Sequence, residues 1–227
     1  MCGRYTGGRH RPEKAAQALR QLIKHPWPEL PPRYNVAPGT RIPAIRLSPV
    51  DGAELTELKW GLLPYWSKEP RIAFNTINAM AETVESKASY RLPFKKRRCL
   101  IPADGWYEWQ PLKSGKQKWW FHLADDSDFC FAGLWDRWHR GDEIIDTCTI
   151  IVTDAADSIK HIHDRMPAIV DPADYEFWLD PGVDHTPALK EVLRPTSAAL
   201  EARPVANPTH PRDDDAALIT PVATPAG

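Results

Sequence analysis

The sequence of 227 residues has few cysteines, no long apolar run and no internal repeat. Its four cysteines never form a Cys-x-x-Cys pair, so their spacing gives no support for a zinc site. No apolar segment is long enough to span a bilayer, and no signal peptide precedes Cys2. We therefore expect a protein of the reducing cytoplasm, with no metal or cofactor, in which a free thiol persists.

Aromatic residues and prolines are abundant instead, with ten tryptophans and 23 prolines. The formal net charge of −1 hides an asymmetry, since residues 171–227 hold four basic and ten acidic side chains. The segment from Lys87 to Arg98 holds six basic side chains and no acid. This basic run is either a phosphate-binding surface or an ordinary solvated face.

Alternating apolar residues and turn signals such as Asp104-Gly105 predict many short strands. The predicted strands cover 1–6, 42–47, 54–60, 72–79, 98–102, 105–110, 117–123, 129–135, 147–153 and 166–170. Helices are predicted over 12–24, 86–94, 154–163, 172–179 and 187–193. These elements favour one α+β domain over 1–227, with a curled, partly closed β-barrel-like sheet, flanking helices and a Pro-rich extended tail from about 195 that is not packed as regular structure.

Cys2 follows the initiator methionine, which is readily removed before a small side chain. Removal would leave one residue with an α-amine, of ordinary pKa about 7.7–8.0, and a thiol, of ordinary pKa about 8.5. A fraction of each would then be nucleophilic near neutral pH. The amine can condense with an aldehyde to an imine, and the thiol can close onto the imine carbon to give a thiazolidine. The alternative is an ordinary cysteine beside a start codon.

Glu108 lies in the aromatic segment Asp104-Gly-Trp-Tyr-Glu-Trp109. Strand alternation puts it on the face of Trp106 and opposite Tyr107. A carboxylate against indole rings tends toward a raised pKa, which suits proton transfer near neutral pH. The alternative is an outward-facing side chain on a half-exposed strand.

Three further segments carry candidate polar or aromatic groups. His163 lies before Arg165 in a His-Ile-His-Asp-Arg-Met-Pro segment, and could serve a site or lie on the surface. Asn78 lies in a β-like segment and needs hydrogen-bond partners, either in a turn or on a substrate. Of the two tryptophans in Trp60-Gly-Leu-Leu-Pro-Tyr-Trp66, we expect Trp60 in the core and Trp66 to be more open.

Taken in order, these motifs closely resemble the SRAP (SOS response-associated peptidase) family. The matching segments are CGRY, RYNVAPG, WGLLPYW, INAMAET, RRCLIPADGWYEW, FAGLW and IHDRMP, with RPVAN and ALITPV in the tail. The resemblance implies binding of single-stranded DNA at abasic sites and a thiazolidine crosslink through the processed N-terminal cysteine. It also implies removal of the chain's own initiator methionine.

The resemblance assigns roles residue by residue. The catalytic positions match Cys2, Asn78, Glu108 and His163. The DNA-contacting positions match Arg4, Pro38, Trp66 and Arg165. One position departs from the family pattern, because Met80 stands where the family usually has arginine. We expect Arg71, Lys87 or Arg91 to replace that contact, or else DNA binding to be weaker by about one phosphate contact.

The partner implied is single-stranded DNA with abasic sites, bound by a monomer that joins the nucleoid only through DNA. Two alternatives stay open at this point. One is an N-terminal-nucleophile thiol amidase or protease acting on peptides, with His163 as base. The other is a non-catalytic single-strand DNA binder in which Cys2 is incidental.

Overall fold

The computed structural model describes residues 2–9, 13–48, 50–70 and 76–223. Strands make up most of its regular structure. They are β1 (Tyr5–Gly7), β2 (Arg33–Val36), β3 (Arg41–Ser48), β4 (Gly52–Trp60), β5 (Asn78–Met80), β6 (Arg98–Ala103), β7 (Gly105–Pro111), β8 (Lys116–Leu123), β9 (Phe129–Arg140), β10 (Glu143–Asp154), β11 (Arg165–Pro167), β12 (Ile169–Val170) and β13 (Leu200–Val205).

The helices are short. They are α1 (Glu13–Ala18), α2 (Arg91–Lys96), α3 (Tyr175–Leu179) and α4 (Thr186–Glu191), with 3-10 turns over Pro172–Asp174 and Ala216–Ile219. In the part of the chain that the structure describes, no helix is both long and apolar enough to cross a membrane.

Five strands close into a barrel, which confirms the predicted fold class. The barrel is fully closed, whereas the sequence predicted a partly closed sheet. The ring runs β10-β4-β3-β6-β9 and returns to β10. Only the β4–β10 contact in this ring is parallel. Near its C-terminal end, β10 also pairs in parallel with β5 and antiparallel with β11. Because β5 and β11 share β10, segments distant in sequence meet at one end of the barrel.

A second sheet, in the order β13-β8-β7-β1-β2, packs against the barrel. Its inner face contributes Tyr5, Trp106 and Phe121 to the main core, where Trp106 and Phe121 stack with ring centroids 5.2 Å apart. Tyr5 packs edge-on against Trp60 of β4, which is fully buried as predicted. Packing of this kind accounts for much of the aromatic content.

The prediction of buried strand thiols is confirmed for three cysteines. Cys99, Cys130 and Cys148 lie in β6, β9 and β10 and are fully buried and reduced.

The predicted helix over 154–163 is wrong. The chain leaves β10 and returns to β11 through single turns, closed by the bond from Ala155 N to Asp164 O. Ile159 and Ile162 are buried, and their spacing imitated one face of a helix. Both ends of the loop are fixed in paired strands, β10 and β11, so the chain turns back within the loop. Of the predicted strand over 72–79, residues 72–75 lie outside the described residues, and 78–80 form β5.

The tail also differs from the prediction. Residues 200–205 form β13 and pair along their whole length with β8. Pro204 is tolerated there because β13 is the edge strand of its sheet, where a missing N–H breaks no ladder.

The basic run from Lys87 to Arg98 divides into two kinds of residue. Arg98 is buried and donates to five backbone carbonyls, among them that of Trp178 at 2.5 Å, so it is structural. Arg97 pairs with Asp136. Lys87, Arg91, Lys95 and Lys96 are exposed, and Lys96 Nζ donates to Pro181 O at 2.9 Å. These four residues can form a charged face.

Lys118 is a buried cation on the outer face of the second sheet. Its residue is 1% exposed, and Nζ lies 3.7 Å from the ring centroid of Tyr107. Burial and, to a smaller extent, the nearby charge of Arg4 lower the pKa of Lys118 to about 8. A cation–π contact replaces part of the lost hydration.

We expect this lysine to give the free energy of unfolding a pH dependence at alkaline pH. Between pH 8 and 10.5 the unfolded chain keeps the Lys118 proton that the folded chain has lost, so the contribution of Lys118 to stability rises with pH. The buried thiols, whose pKa values are raised by burial, contribute a fall over the same range in every variant, so the effect of Lys118 is a difference between slopes. Urea unfolding from pH 7 to 10.5 should give the wild type and Lys116→Met, a change at an exposed position of the same strand, a more positive slope than Lys118→Met. Equal pH slopes in all three proteins would contradict the assignment.

Candidate active site

The N-terminal segment continues β1 alongside β7. Tyr107 N donates to Arg4 O at 3.0 Å, and Tyr5 lies opposite Trp106 in the antiparallel ladder. This register brings Cys2 toward the part of β7 that contains Glu108. The Cys2 side chain is fully buried in the main core, and its Sγ lies 3.8 Å from Arg4 O.

The surroundings of Cys2 correct one expectation. Burial raises the pKa of the thiol well above its ordinary value, and the charge of Glu108 raises it further. The thiol is therefore protonated at neutral pH, whereas the sequence suggested an ordinary pKa and a fraction of thiolate. Neutral sulfur in an apolar site is a poor first nucleophile.

Glu108 is buried at 3% exposure, which rules out the outward-facing alternative. Strand alternation holds, because Trp106 shares the core side with Glu108 while Tyr107 packs on the other side with Trp120. Burial raises the pKa of Glu108 to about 7. A carboxyl group with this pKa can both accept and release a proton near neutral pH.

His163 lies next to this carboxylate. Its Nε2 is 3.5 Å from Glu108 Oε2, and its Nδ1 lies 3.0 Å from Arg165 O and 3.1 Å from Arg165 N. These backbone contacts hold the ring with Nε2 directed toward Glu108. Burial lowers the pKa of His163, so the ring is neutral at pH 7. The structure therefore brings Cys2, Glu108 and His163 together in one buried site with two groups that can exchange a proton.

Asn78 lies on β5, opposite Ile150 of β10. It is buried, and its Nδ2 is 3.5 Å from Ile150 O. Within the described residues its Oδ1 accepts no hydrogen bond. A buried carbonyl oxygen without a donor is costly, and such an atom is suited to bind a donor on a substrate.

Arg165, predicted to contact phosphate, is already held by two carboxylates. Nη1 lies 2.8 Å from Asp154 Oδ1, and Nη2 lies 2.9 Å from both oxygens of Glu82. Met80 takes part as well, with its Sδ 3.8 Å from Arg165 Nη2. Of the residues expected to compensate for Met80, Arg71 lies outside the described residues. A phosphate approaching Arg165 must share it with acidic groups or displace them.

Arg4 lies on the Tyr107 side of the second sheet, away from Glu108. Its Nη1 donates to Asn35 Oδ1 at 2.8 Å, and its charge acts on Lys118. The structure therefore separates Arg4 from the group formed by Arg165, Glu82 and Asp154.

Trp66 and its neighbour Tyr65 are the most exposed aromatic residues of the described chain, at 53% and 52%. The loop that carries them is fixed at both sides, because Tyr65 N donates to Asp136 Oδ2 at 2.9 Å and Trp138 Nε1 donates to Ser67 O at 2.8 Å. A fixed loop with two open rings is suited to stack on unpaired bases.

Pro38 lies in the turn that follows β2, half-buried. The turn needs Gly39, whose φ is +82°, and Gly39 N donates to Trp60 O at 2.7 Å. This bond ties the turn to the end of β4, from which the Trp66 loop departs. The turn with Pro38 and the loop with Trp66 thus meet at one end of β4.

Several residues of this region could not be identified from the sequence. Glu82, Asp154 and Lys118 gain their partners only through strand pairing. Asn35 is the exception, because a polar residue inside the strand-like segment RYNVAPG could have been noticed in the sequence. Among the described residues, no group of three or more His, Cys, Asp or Glu side chains could hold a metal ion.

Comparison with known proteins finds similarity over most of the chain. The family model for SOS response associated peptidase (SRAP) matches residues 1–209. The chain is 39% identical to the abasic site processing protein YoaM of Bacillus subtilis (strain 168), over 96% of this chain and 97% of that protein. It is 37% identical to YoqW of the same organism, over 87% and 88% of the two chains. A crystal structure of a protein from Bacteroides thetaiotaomicron matches with a TM-score of 0.81 at 27% identity, covering 98% of this chain and all of that one.

Proposed function

The chain belongs to the SOS response-associated peptidase (SRAP) family, and from this premise we propose that it captures abasic sites in single-stranded DNA by a covalent bond to Cys2. The observation that carries the proposal is the buried Glu108–His163 pair beside Cys2, with Nε2 and Oε2 3.5 Å apart. Such a pair supplies and removes protons where an amine and an aldehyde would condense.

The first step is removal of Met1, which frees the α-amine of Cys2. Hydrolysis of the Met1–Cys2 amide consumes one water, and Glu108, with a pKa near 7, takes a proton from that water and gives it to the leaving amine. No other cysteine of this chain can gain an α-amine, because the nitrogen of each is a backbone amide.

Capture begins at the open-chain aldehyde of the abasic sugar. His163, whose Nε2 is directed toward Glu108, relays a proton as the closed hemiacetal opens. The Cys2 amine attacks C1′ to give a carbinolamine, Glu108 accepts the amine proton, and water leaves to form the imine. Asn78 Oδ1 accepts a hydrogen bond from the amine or the sugar and fixes the direction of attack.

The Cys2 sulfur then adds to the imine carbon while its proton passes to nitrogen, which closes the thiazolidine. The raised pKa of the buried thiol supports this order, with nitrogen first and sulfur second. Fast closure also removes the imine from the path of β-elimination, which would cut the strand.

Burial of the thiol argues against the thiol-protease alternative. A cysteine protease attacks with a thiolate, and burial raises the pKa of the Cys2 thiol so that it is not ionised at neutral pH.

The function is tested by the intact mass of the purified protein, with and without a single-stranded oligonucleotide carrying one abasic site. We expect loss of one methionine residue, and an adduct whose mass is the sum of protein and oligonucleotide minus one water. An oligonucleotide with a tetrahydrofuran abasic analogue, which has no aldehyde, should give no adduct. Cleavage of a peptide panel without adduct would favour an amidase, and reversible binding alone would favour a plain binder.

We expect Trp66→Ala to weaken binding of single-stranded DNA by about five- to a hundredfold, the loss of one stacked base. The ring lies open on a fixed loop, so its removal should leave the fold intact. Fluorescence anisotropy with a labelled oligonucleotide measures the effect. Ile144→Ala, at another exposed apolar side chain, is the control and should bind as the wild type does. Equal affinities of both variants would remove Trp66 from the DNA path.

A further inference from the structure

The acidic segment near the C-terminus lies on β2, the edge strand of the second sheet. The Asp214 carboxylate accepts from the backbone N–H groups of Tyr34 and Asn35, the latter at 2.8 Å, and pairs with Arg33. Three donors therefore surround one carboxylate, and they compensate most of its negative charge within the protein.

Asn35 is oriented by the same segment. Its Nδ2 donates to Asp213 O at 2.6 Å and lies 3.4 Å from Pro211 O. Because both backbone carbonyls lie on the Nδ2 side, the Oδ1 side faces Arg4 and accepts from its Nη1 at 2.8 Å. Asn35 is 5% exposed, so the rotamer is fixed by packing as well as by these bonds.

Arg4 connects this arrangement to the N-terminal segment. Its backbone oxygen accepts from Tyr107 N and lies near the Cys2 thiol, while its side chain has no carboxylate partner among the described residues. The guanidinium is held by a neutral amide oxygen, which directs it without neutralising it. An arginine held in this way keeps its full charge for a phosphate.

The segment lies beyond the family model, which ends at residue 209. We propose that residues 211–214 form a positioning strap that orients Asn35, and through Asn35 directs the Arg4 guanidinium toward a DNA phosphate on the Tyr107 side of the second sheet. Asp214 and Asn35 are then positioning residues for DNA binding. This inference rests on the proposed function, because it requires Arg4 to contact DNA.

Charge alone predicts the opposite effect for this segment. Removing an acidic residue near a DNA site should strengthen binding, since it reduces repulsion of the phosphates. The strap predicts weaker binding on loss of Asp214, so the sign of the effect separates the two explanations.

The test compares three variants, with affinity from the anisotropy of a labelled abasic oligonucleotide and rate from adduct formation on denaturing gels. We expect Asp214→Ala to weaken affinity about tenfold, the loss of one directed charge-assisted contact, with an unchanged rate constant at saturating DNA. Its slope of log K against log salt should fall by about 0.7, one single-strand phosphate. Asp214→Asn should bind nearly as the wild type does, because an amide oxygen still accepts from β2. Asp142→Ala, which removes an exposed acid in the β9–β10 turn, should bind no more weakly than the wild type.

A double-mutant cycle with Arg4→Ala separates positioning from general loosening of the fold. If Asp214 acts through Arg4, then Asp214→Ala should have no further effect on affinity in the Arg4→Ala protein. An equal loss in both backgrounds, or unchanged or tighter binding by Asp214→Ala alone, would overturn the proposal. If the wild type binds the oligonucleotide without forming any adduct, the proposed covalent chemistry is refuted instead. The anisotropy measurements would still test whether residues 211–214 position Arg4 for DNA binding.

Discussion

Replacing Cys2 by alanine should leave a protein that still forms an imine with an abasic oligonucleotide but never a heat-stable adduct. The expected loss is nearly complete, because the side chain of alanine has no atom that can close onto the imine carbon. Alanine is small, so Met1 removal by a general aminopeptidase still exposes an α-amine. Borohydride should therefore trap the variant on the oligonucleotide, while heating without borohydride should release it.

The imine of this variant has no route to the thiazolidine, so β-elimination should compete and cut the strand. Denaturing gels report trapped adduct, heat-stable adduct and cleaved strand in one experiment. The matched control is Cys130→Ala, which removes a thiol from β9 in the barrel wall and should capture DNA as the wild type does. A heat-stable adduct formed by Cys2→Ala as fully as by the wild type would show that sulfur takes no part.

Local patterns in the sequence were sufficient to predict most of the strands, although not β2 and β13, and the side of β7 on which Glu108 lies. Alternation along Trp106, Tyr107 and Glu108 is a short-range property, since each residue's side is fixed by its neighbours. The same holds for the buried strand cysteines and for the open position of Trp66. Closure of the barrel was only partly predictable, because the parallel contact between β4 and β10 joins segments about 90 residues apart.

What the sequence could not predict depends on contacts between distant segments. Burial of Cys2 arises because residues 2–4 lie along β7, about one hundred residues later. The ion pairs of Arg165 exist because β5 and β11 both pair with β10, which brings Glu82 and Asp154 to one guanidinium. The docking of Asp214 on β2 is of the same kind.

The wrong helix over 154–163 has a different origin. Ala155, Ile159 and Ile162 are buried at helical spacing, and the sequence contains no sign that the segment is a loop between strands. His163 was nevertheless chosen as a candidate from the sequence, and in the structure the Arg165 backbone holds its ring with Nε2 toward Glu108. A candidate site residue can thus be recognised even when its secondary structure is predicted wrongly.

Replacing Glu108 by glutamine should slow both Met1 removal and adduct formation by about a hundredfold or more, the usual contribution of a positioned acid–base group. Glutamine keeps the size and the hydrogen-bonding oxygen of the side chain but neither accepts nor releases a proton. Time courses of intact mass measure both reactions in one sample. Glu143→Gln, at an exposed position at the start of β10, is the matched control and should react at the wild-type rate. Unchanged rates for Glu108→Gln in both reactions would remove Glu108 from the mechanism.

The same substitution should make the folded protein more stable above pH 7. Burial raises the pKa of Glu108 from 4.5 to about 7, so between these values the folded chain holds a proton that the unfolded chain has lost. The free energy of unfolding of the wild type therefore falls as pH rises through this window. A shift of this size corresponds to about 3 kcal/mol, which Glu108→Gln should recover in full only above pH 7. Urea unfolding of both proteins from pH 4.5 to 8 measures the divergence. If the two curves were parallel, the pKa of Glu108 would be the same in the folded protein as in water. Such a carboxyl group would be ionised at neutral pH and could not act as a proton donor there.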